Sequence, residues 1–309
     1  MMSTFNGMRF IRDQMDSILE NLDEDDRVYV RDDGSQDDTK QWLRSIEDHR
    51  VVILESNANI GFGRSFMYLI DQVPLDFDMY FLADQDDVWL PTKVGNAREL
   101  LMSAHGPCMV CTRLEIVDDD LNHLGYSSLY QEPPGFDNAV CQNIATGCSV
   151  ALNQNAIHFL KKIDFQKYDS RLYYHDWWLY LNIGYFGEVI FDSRPSVKYR
   201  QHSGNHIGMQ DGFYRYFKMI THLLRHPWFP ILINQVDLFC EIHGESVSVD
   251  DIHRLEGFRR FDGLIALKSV LGDSRFYWQK PKDKWLFIML LIFEMVSVRI
   301  SKKRELPVL

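Results

Sequence analysis

The chain is short of several things at once. Its 309 residues contain no uninterrupted apolar run of about 20, the length that crossing a bilayer takes. Basic residues are outnumbered, 33 Lys and Arg against 44 Asp and Glu, and the net charge of −11 excludes a general nucleic-acid binder, which needs a basic field on the phosphate backbone. The five cysteines, Cys108, Cys111, Cys141, Cys148 and Cys240, are odd in number and scattered, and no leader-like segment opens the chain. Reduced thiols in a cytoplasmic compartment are therefore expected, not a disulfide framework. Cys108-Met-Val-Cys111 has the spacing of a zinc half-site, but no second Cys or His pair follows at a suitable interval, so it reads as packed strand.

What is present can build a core: 46% of residues are hydrophobic, enough for one large domain with an appendage or for two domains. The stretch that organises the rest is Tyr80 to Pro91. Met79 to Ala83 reads as a buried strand, and it runs into three carboxylates within four residues, Asp84, Asp86 and Asp87, before Pro91 opens the next helix. In an open α/β sheet, ligands bind beyond the carboxyl ends of strands, which puts Asp84 and Asp86 together at a site mouth. Two carboxylates there repel each other unless a cation lies between them. Hard oxygen ligands suit Mg²⁺ or Mn²⁺, which keep one or two protein carboxylates and fill their other positions with water and substrate phosphates. A helix N-cap would account for one of the three, and Asp87 is assigned that task.

Strand and helix patterns alternate along the chain. Met1 to Gly7 reads as the end of a strand plus a turn, after which Phe10, Ile11, Met15, Ile18 and Leu19 share a helical face. Val28 to Val30 is a strand ending in Arg31-Asp-Asp-Gly-Ser35, followed by a helix carrying Trp42, Leu43 and Ile46. Val51 to Leu54 is a third strand, and Asn59 to Gly63 is a loop whose glycines permit either close approach of a ligand or a sharp bend. The alternation implies βαβ units and a mostly parallel sheet. Later, Met109 to Thr112, Glu115 to Val117 and Ile144 to Leu152 read as strands, an irregular polar stretch runs through Pro133-Pro-Gly135, and Gly147 leaves room for a sugar. His175 and Asp176 open a helix that runs to Gly187, where Asp176 is either a cap or a general base in an aromatic-lined pocket. A strand from Val197 leads into a loop with Arg200, His202 and His206, whose grouping favours ligand contact.

Taken together, Ser3-Thr-Phe-Asn6, Arg31-Asp-Asp-Gly-Ser35, Asn59-Ile-Gly61, Asp84-Gln-Asp-Asp-Val-Trp-Leu-Pro91, His175-Asp-Trp177 and Tyr199-Arg-Gln-His202 resemble, in order and spacing, glycosyltransferase family 2. The resemblance runs to about Gly208 and looks most like bacterial rhamnosyltransferases that build cell-wall or O-antigen polysaccharide. It implies a GT-A fold, an α/β architecture with a Rossmann-like, mostly parallel central sheet flanked by helices. A glycosyltransferase domain over 1–208 would comprise a nucleotide-binding half to about 110 and an acceptor half over 111–208, followed by a helical region over 209–309. By the resemblance, Thr4 and Asn6 line the nucleotide site, Asp33 or its neighbour Asp32 contacts the base, and Asp84 lies near the ribose. Asp86 would hold Mg²⁺ or Mn²⁺ on the diphosphate, with His202 a further ligand or phosphate contact and Arg200 beside the leaving group. Asp176 matches the family's base, and His175, Trp177 and Gly147 would border the acceptor.

The implied chemistry is inverting transfer of a sugar, L-rhamnose from dTDP-L-rhamnose, to a hydroxyl of a glycan or lipid-linked glycan. A UDP-galactose or UDP-N-acetylglucosamine transferase is the alternative enzyme, and a non-catalytic nucleotide-binding scaffold the alternative class. Two departures from the family stand out: the chain starts where the family has a full first strand, so a shortened strand beside the nucleotide is expected, and His175 stands where Glu often precedes the base.

In the last third, Tyr214, Phe217, Ile220, Leu223 and Leu224 form an amphipathic pattern that Pro227 and Pro230 break, and Trp228 to Phe239 and Leu255 to Leu271 read as helices. Trp285 to Phe293 is apolar, with Lys280, Lys282 and Lys284 before it and Arg299, Lys302, Lys303 and Arg304 after it. It is read as a peripheral helix on the inner face of the cytoplasmic membrane over about 285–300, with a core helix or a homo-oligomer contact as the alternatives.

Overall fold

The computed structural model describes residues 1–54, 56, 58–168, 171–202, 228–259 and 263–300. His206, the 214–224 pattern and the basic residues 302–304 lie outside them, as do the side chains of Glu294 and Arg299. The chain divides into two compact units, Met1–Gly135 with Ile144–Met209, and Phe136–Asn143 with Gln210–Leu309.

The first unit opens with β1 (Met2–Thr4), α1 (Ile11–Asn21), β2 (Val28–Asp32), α2 (Thr39–Arg44), β3 (Val51–Leu54), α3 (Phe62–Gln72) and β4 (Met79–Phe81). The three first strands pair in parallel, with Met2 opposite Val30 and Val28 opposite Val51. A parallel bridge from Met2 to Ala83 brings β4 alongside β1, the Ala83 N–H donating to the Met1 carbonyl at 3.0 Å. After β5 (Val88–Trp89) and α4 (Lys93–Leu101) come β6 (Cys108–Thr112), β7 (Glu115–Val117) and β8 (His123–Tyr126). The helix α5 (Phe136–Ala139) belongs to the second unit, and the first resumes with β9 (Ala151–Asn153), α6 (Gln154–Leu160), α7 (Phe165–Tyr168), α8 (His175–Phe186), β10 (Glu188–Asp192) and β11 (Val197–Arg200).

Through the Met2–Ala83 bridge the central sheet reads β3-β2-β1-β4-β9-β6-β10, with β9 antiparallel to its neighbours. Parallel strands covered on both faces need apolar side chains throughout, which is why β6 reads Cys-Met-Val-Cys and buries both thiols. Helix α1 lays Ile11, Met15 and Ile18 into the same core as Met2, Val28 and Val30. A smaller sheet, β5-β11-β7-β8, pairs β11 antiparallel to β5 and parallel to β7. That pairing carries the end of β11 to the loop after β4.

Several local expectations are corrected. Within Ile144 to Leu152 the strand is confined to Ala151 onward, because Gly147–Ser149 forms a 3₁₀ turn. The polar stretch before Pro133 contains β8, which pairs with β7 across a bulge at Ile116 and Val117. The helix after Pro91 begins at Lys93 with Thr92 at its N-cap, so Asp87 caps nothing.

In the second unit, helices span Trp228–His243, Val249–Arg259, Gly263–Gly272 and Pro281–Ile300. Pro230 sits in the first turn of its helix, where no backbone donor is required. The Phe136–Asn143 segment is held by side chains distant in sequence: Asp137 meets Arg254 at 2.5 Å, Asn138 Nδ2 donates to the Tyr277 carbonyl, and Gln142 Nε2 donates to Asp283. Among the described residues, no helix is long and apolar enough to cross a membrane.

Candidate active site

Four strand ends converge in the first unit. At the end of β2, Asp32 is buried and surrounded by donors: the Thr4 hydroxyl at 3.0 Å, the Ser35 hydroxyl at 2.5 Å, and the N–H groups of Gly34 and Ser35. Gly34 makes this possible by taking φ of +86°, which turns the chain back over the carboxylate. Asp33 is equally committed, pairing with the buried Arg31 guanidinium and accepting from Ile60 N–H at 2.8 Å and Gly61 N–H at 2.9 Å. The Asn59 to Gly61 loop is therefore a bend fastened to Asp33. Asn6 adopts φ of +50° and locks onto the same turn, its N–H donating to Ser35 Oγ and its Oδ1 accepting from Gln36 N–H. Thr4, Asn6, Asp32 and Asp33 thus form one hydrogen-bonded floor.

The loop after β4 differs. Asp84 is pushed up to about 7 by burial and by the charges of Asp86 and Asp176, with Lys93 opposing. Asp87, fully buried, is held well above the usual carboxylate range by burial and by Asp86 and Asp84, while accepting the Arg200 N–H at 3.1 Å. Asp84, Asp87 and Cys148 offer oxygen and sulfur atoms all within 4.8 Å of one another. Asp86 Oδ2 faces His202 Nε2 at 2.8 Å, so two residues 116 apart in sequence meet. Gln85 braces this loop against the first turn, its amide exchanging two hydrogen bonds with the Phe5 backbone at 2.8 and 3.0 Å. Helix α1 braces it from below: Gln14 Nε2 donates to the Asp84 carbonyl at 2.6 Å, and Ser17 Oγ accepts from Trp89 N–H.

Arg200 departs from expectation. Its guanidinium is buried over the Phe10 ring, donating from Nε to the Asp86 carbonyl at 2.9 Å, from Nη1 to the Asp119 carbonyl, and pairing through Nη2 with Asp13. It fixes the backbone that carries Asp86 instead of facing an open crevice.

Asp176 lies in the first turn of α8, whose N-cap is Tyr174, and its Oδ1 accepts from the Trp177 N–H at 2.7 Å. It is half-buried and close enough to raise Asp84. Its neighbours do not border an open pocket. Trp177 is buried, and the His175 ring, 4% exposed, stacks on Phe66 at 4.1 Å. Both His175 nitrogens lack hydrogen-bond partners among the described residues, and burial holds the imidazole neutral, its pKa down at about 3. The room at Gly147 is filled by this ring: a Cβ there would stand 2.6 Å from His175 Nε2. Gly147 thus accommodates a histidine, not a sugar.

Lys93 is the residue that sequence reasoning missed. It is buried, donates to the Cys148 carbonyl at 2.9 Å, sits over the Trp89 ring, and is lowered to about 8 by burial despite Asp87 and Asp84 nearby. A lysine at a helix start reads as solvated, and nothing local distinguishes this one. A cavity of about 580 Å³ is lined by Val28, Met79, Phe81 and Ala83 and by Trp89, the ring over which Lys93 sits.

Against known proteins, residues 1–178 match the model of glycosyl transferase family 2. The chain is 27% identical over 303 residues to the dTDP-rhamnosyl transferase RfbG of Shigella flexneri, covering 94% of this chain and 99% of that one. Among solved structures, S. aureus TarS 1-349 in complex with UDP-GlcNAc aligns with a TM-score of 0.53 at 13% identity, over 96% of this chain and 90% of that one. The same TarS fragment without a named ligand gives 0.52 at 11% identity over the same shares. At these identities the likeness establishes the fold, which is of the GT-A type.

Proposed function

The chain belongs to glycosyl transferase family 2, and on that footing we propose that it transfers L-rhamnose from dTDP-L-rhamnose, with inversion, to a hydroxyl of a growing cell-surface glycan or lipid-linked glycan. The dTDP-rhamnosyl relative, aligned along nearly its whole length, supports the donor. The observation that carries the reading is the loop after β4, where Asp86 meets His202 at 2.8 Å beside Asp84 and within reach of Asp176.

The donor set fits a divalent cation. A carboxylate oxygen and an imidazole nitrogen stand together, and the charges of Asp86 and Asp176, which add to burial in raising Asp84, are a surplus a dication would offset. Asp86 would hold Mg²⁺ or Mn²⁺ with His202 as a further ligand, and the ion, when bound, supplies charge stabilisation to the departing diphosphate. Arg200 keeps Asp86 in place through its carbonyl. Thr4, Asn6, Asp32 and Asp33 shape the floor on which the nucleoside rests, with Asp84 toward the ribose. The acceptor hydroxyl loses its proton to Asp176 as its oxygen attacks the anomeric carbon from the face opposite the leaving group, through an oxocarbenium-like state.

Asp176→Asn tests the reading. Transfer of rhamnose is expected to fall by about 10²- to 10⁴-fold, the usual contribution of a general base, while calorimetric affinity for dTDP in Mn²⁺ stays within twofold. Surviving turnover removes Asp176 as the base. Binding that prefers UDP over dTDP, or that is unchanged by chelator, overturns the donor or the metal respectively.

A further inference from the structure

The helix Pro281–Ile300 is apolar on two sides, and among the described residues one of them is buried and the other exposed. Phe287, Ile288 and Leu291 are buried, and Phe287 packs edge-on against Trp278. On the other side Trp285, Met289, Ile292 and Phe293 are 65, 66, 45 and 49% exposed. Steps of four, three and one residues align these four along one stripe about 12 Å long. A surface helix with its inner face already packed ordinarily turns polar residues outward, so a continuous stripe of large apolar side chains marks a contact surface.

Charge identifies what covers it. The chain as a whole carries −11, yet from 280 to 304 the sequence has seven basic residues, Lys280, Lys282, Lys284, Arg299, Lys302, Lys303 and Arg304, against Asp283 and Glu294. A second copy of the chain is a poor occupant. Whether two such helices met head to head or head to tail, basic ends would face basic ends. An anionic surface meets both the stripe and the flanking charge. The charges within the helix, with its buried face already packed, fit a helix that lies on a bilayer, and it is not apolar enough to cross one.

We propose that Trp285, Met289, Ile292 and Phe293 rest on an anionic phospholipid bilayer, with Trp285 at headgroup level and the flanking basic residues drawn to the lipid charge. The inference uses nothing from the nucleotide site.

The full chain, sedimented with vesicles of phosphatidylcholine containing phosphatidylglycerol, should bind, and with phosphatidylcholine alone it should not. The triple variant Trp285→Ser, Met289→Ser, Phe293→Ser should lose at least tenfold in the bound-to-free ratio with an unchanged circular dichroism spectrum, since the side chains removed are exposed. Lys280→Gln with Lys282→Gln should weaken binding and its salt dependence while leaving the stripe intact. Equal sedimentation of native chain and triple variant overturns the proposal. So does a chain that is dimeric by light scattering, becomes monomeric in the triple variant and sediments with neither vesicle. Calorimetric titration with dTDP on the same preparations reports the other site separately, so failure of one reading leaves the other standing.

Discussion

At the end of β2, two carboxylates are surrounded by donors: Asp32 by Thr4, Gly34 and Ser35, Asp33 by Arg31, Ile60 and Gly61. At the end of β4, Asp84, Asp86 and Asp87 lie in one loop near Asp176, and two of them are pushed up, first by burial and then by the neighbouring charges. Both ends are acidic and both lie at the carboxyl side of the sheet, but Asp32 and Asp33 are buried whereas Asp84 and Asp86 are partly exposed. The difference is where the chain goes next. After β2 it turns back on itself at Gly34 and presents backbone N–H groups to Asp32, while the Asn59 to Gly61 loop presents its own to Asp33. After β4 it leaves for β5 in the other sheet, and no comparable turn returns. One acidic end is therefore satisfied by the fold, and the other remains available to a ligand that brings positive charge.

If that contrast is right, breaking each end has a different consequence. The largest effect belongs to Asp33→Ala, which leaves the Arg31 guanidinium buried without its carboxylate and frees the Asn59 to Gly61 bend. Breaking a buried pair from one side costs about 3–5 kcal/mol, so the midpoint of urea unfolding should fall sharply. An unfolding curve like that of the native chain would show that Asp33 is not structural. Asp86→Ala should do the reverse. Transfer activity in Mn²⁺ is expected to fall by about 10²- to 10³-fold, the scale of losing one charge-stabilising group, while stability stays within about 0.5 kcal/mol. Loss of stability comparable to that of Asp33→Ala would erase the contrast.

The contrast also marks how far the sequence alone could be read. The alternation of strands and helices, the face of α1, and the acidic loop were legible because each is set by local periodicity and by residues adjacent in the chain. So was the nearness of Asp86 and His202, through resemblance and not through pattern. What was not legible depends on partners supplied from afar. Asp32 looks like a ligand until Thr4 and Ser35 are seen on it, and Arg200 looks free until the Asp86 and Asp119 carbonyls and Asp13 are found around it. Gly147 looks like space for a sugar until His175 is placed there. Lys93 looks solvated, yet its Nζ is held by the Cys148 carbonyl, 55 residues away.

His175 sharpens the comparison with the smallest effect, because it is a third polar group at this end of the unit and has neither donors nor like charges around it. Burial between Phe66 and Gly147 lowers its pKa from 6.5 to about 3. As pH falls below 6.5 the unfolded chain takes up a proton that the folded chain refuses, so native stability declines from there toward pH 3. His243 in the helical unit, lowered to about 4 by burial, adds a decline of the same sign. His175→Phe keeps a ring on Phe66 and removes one of these two sources. One pH unit into the window, at about pH 5.5, the variant should have lost about 1.4 kcal/mol less stability than the native chain relative to neutral pH. The His243 share of the decline should remain in both. Urea unfolding across pH 7 to 5 measures the slope directly. Parallel slopes for the two proteins would mean that His175 finds a partner and takes up its proton near the ordinary pH, which would place it with the satisfied groups of the β2 end.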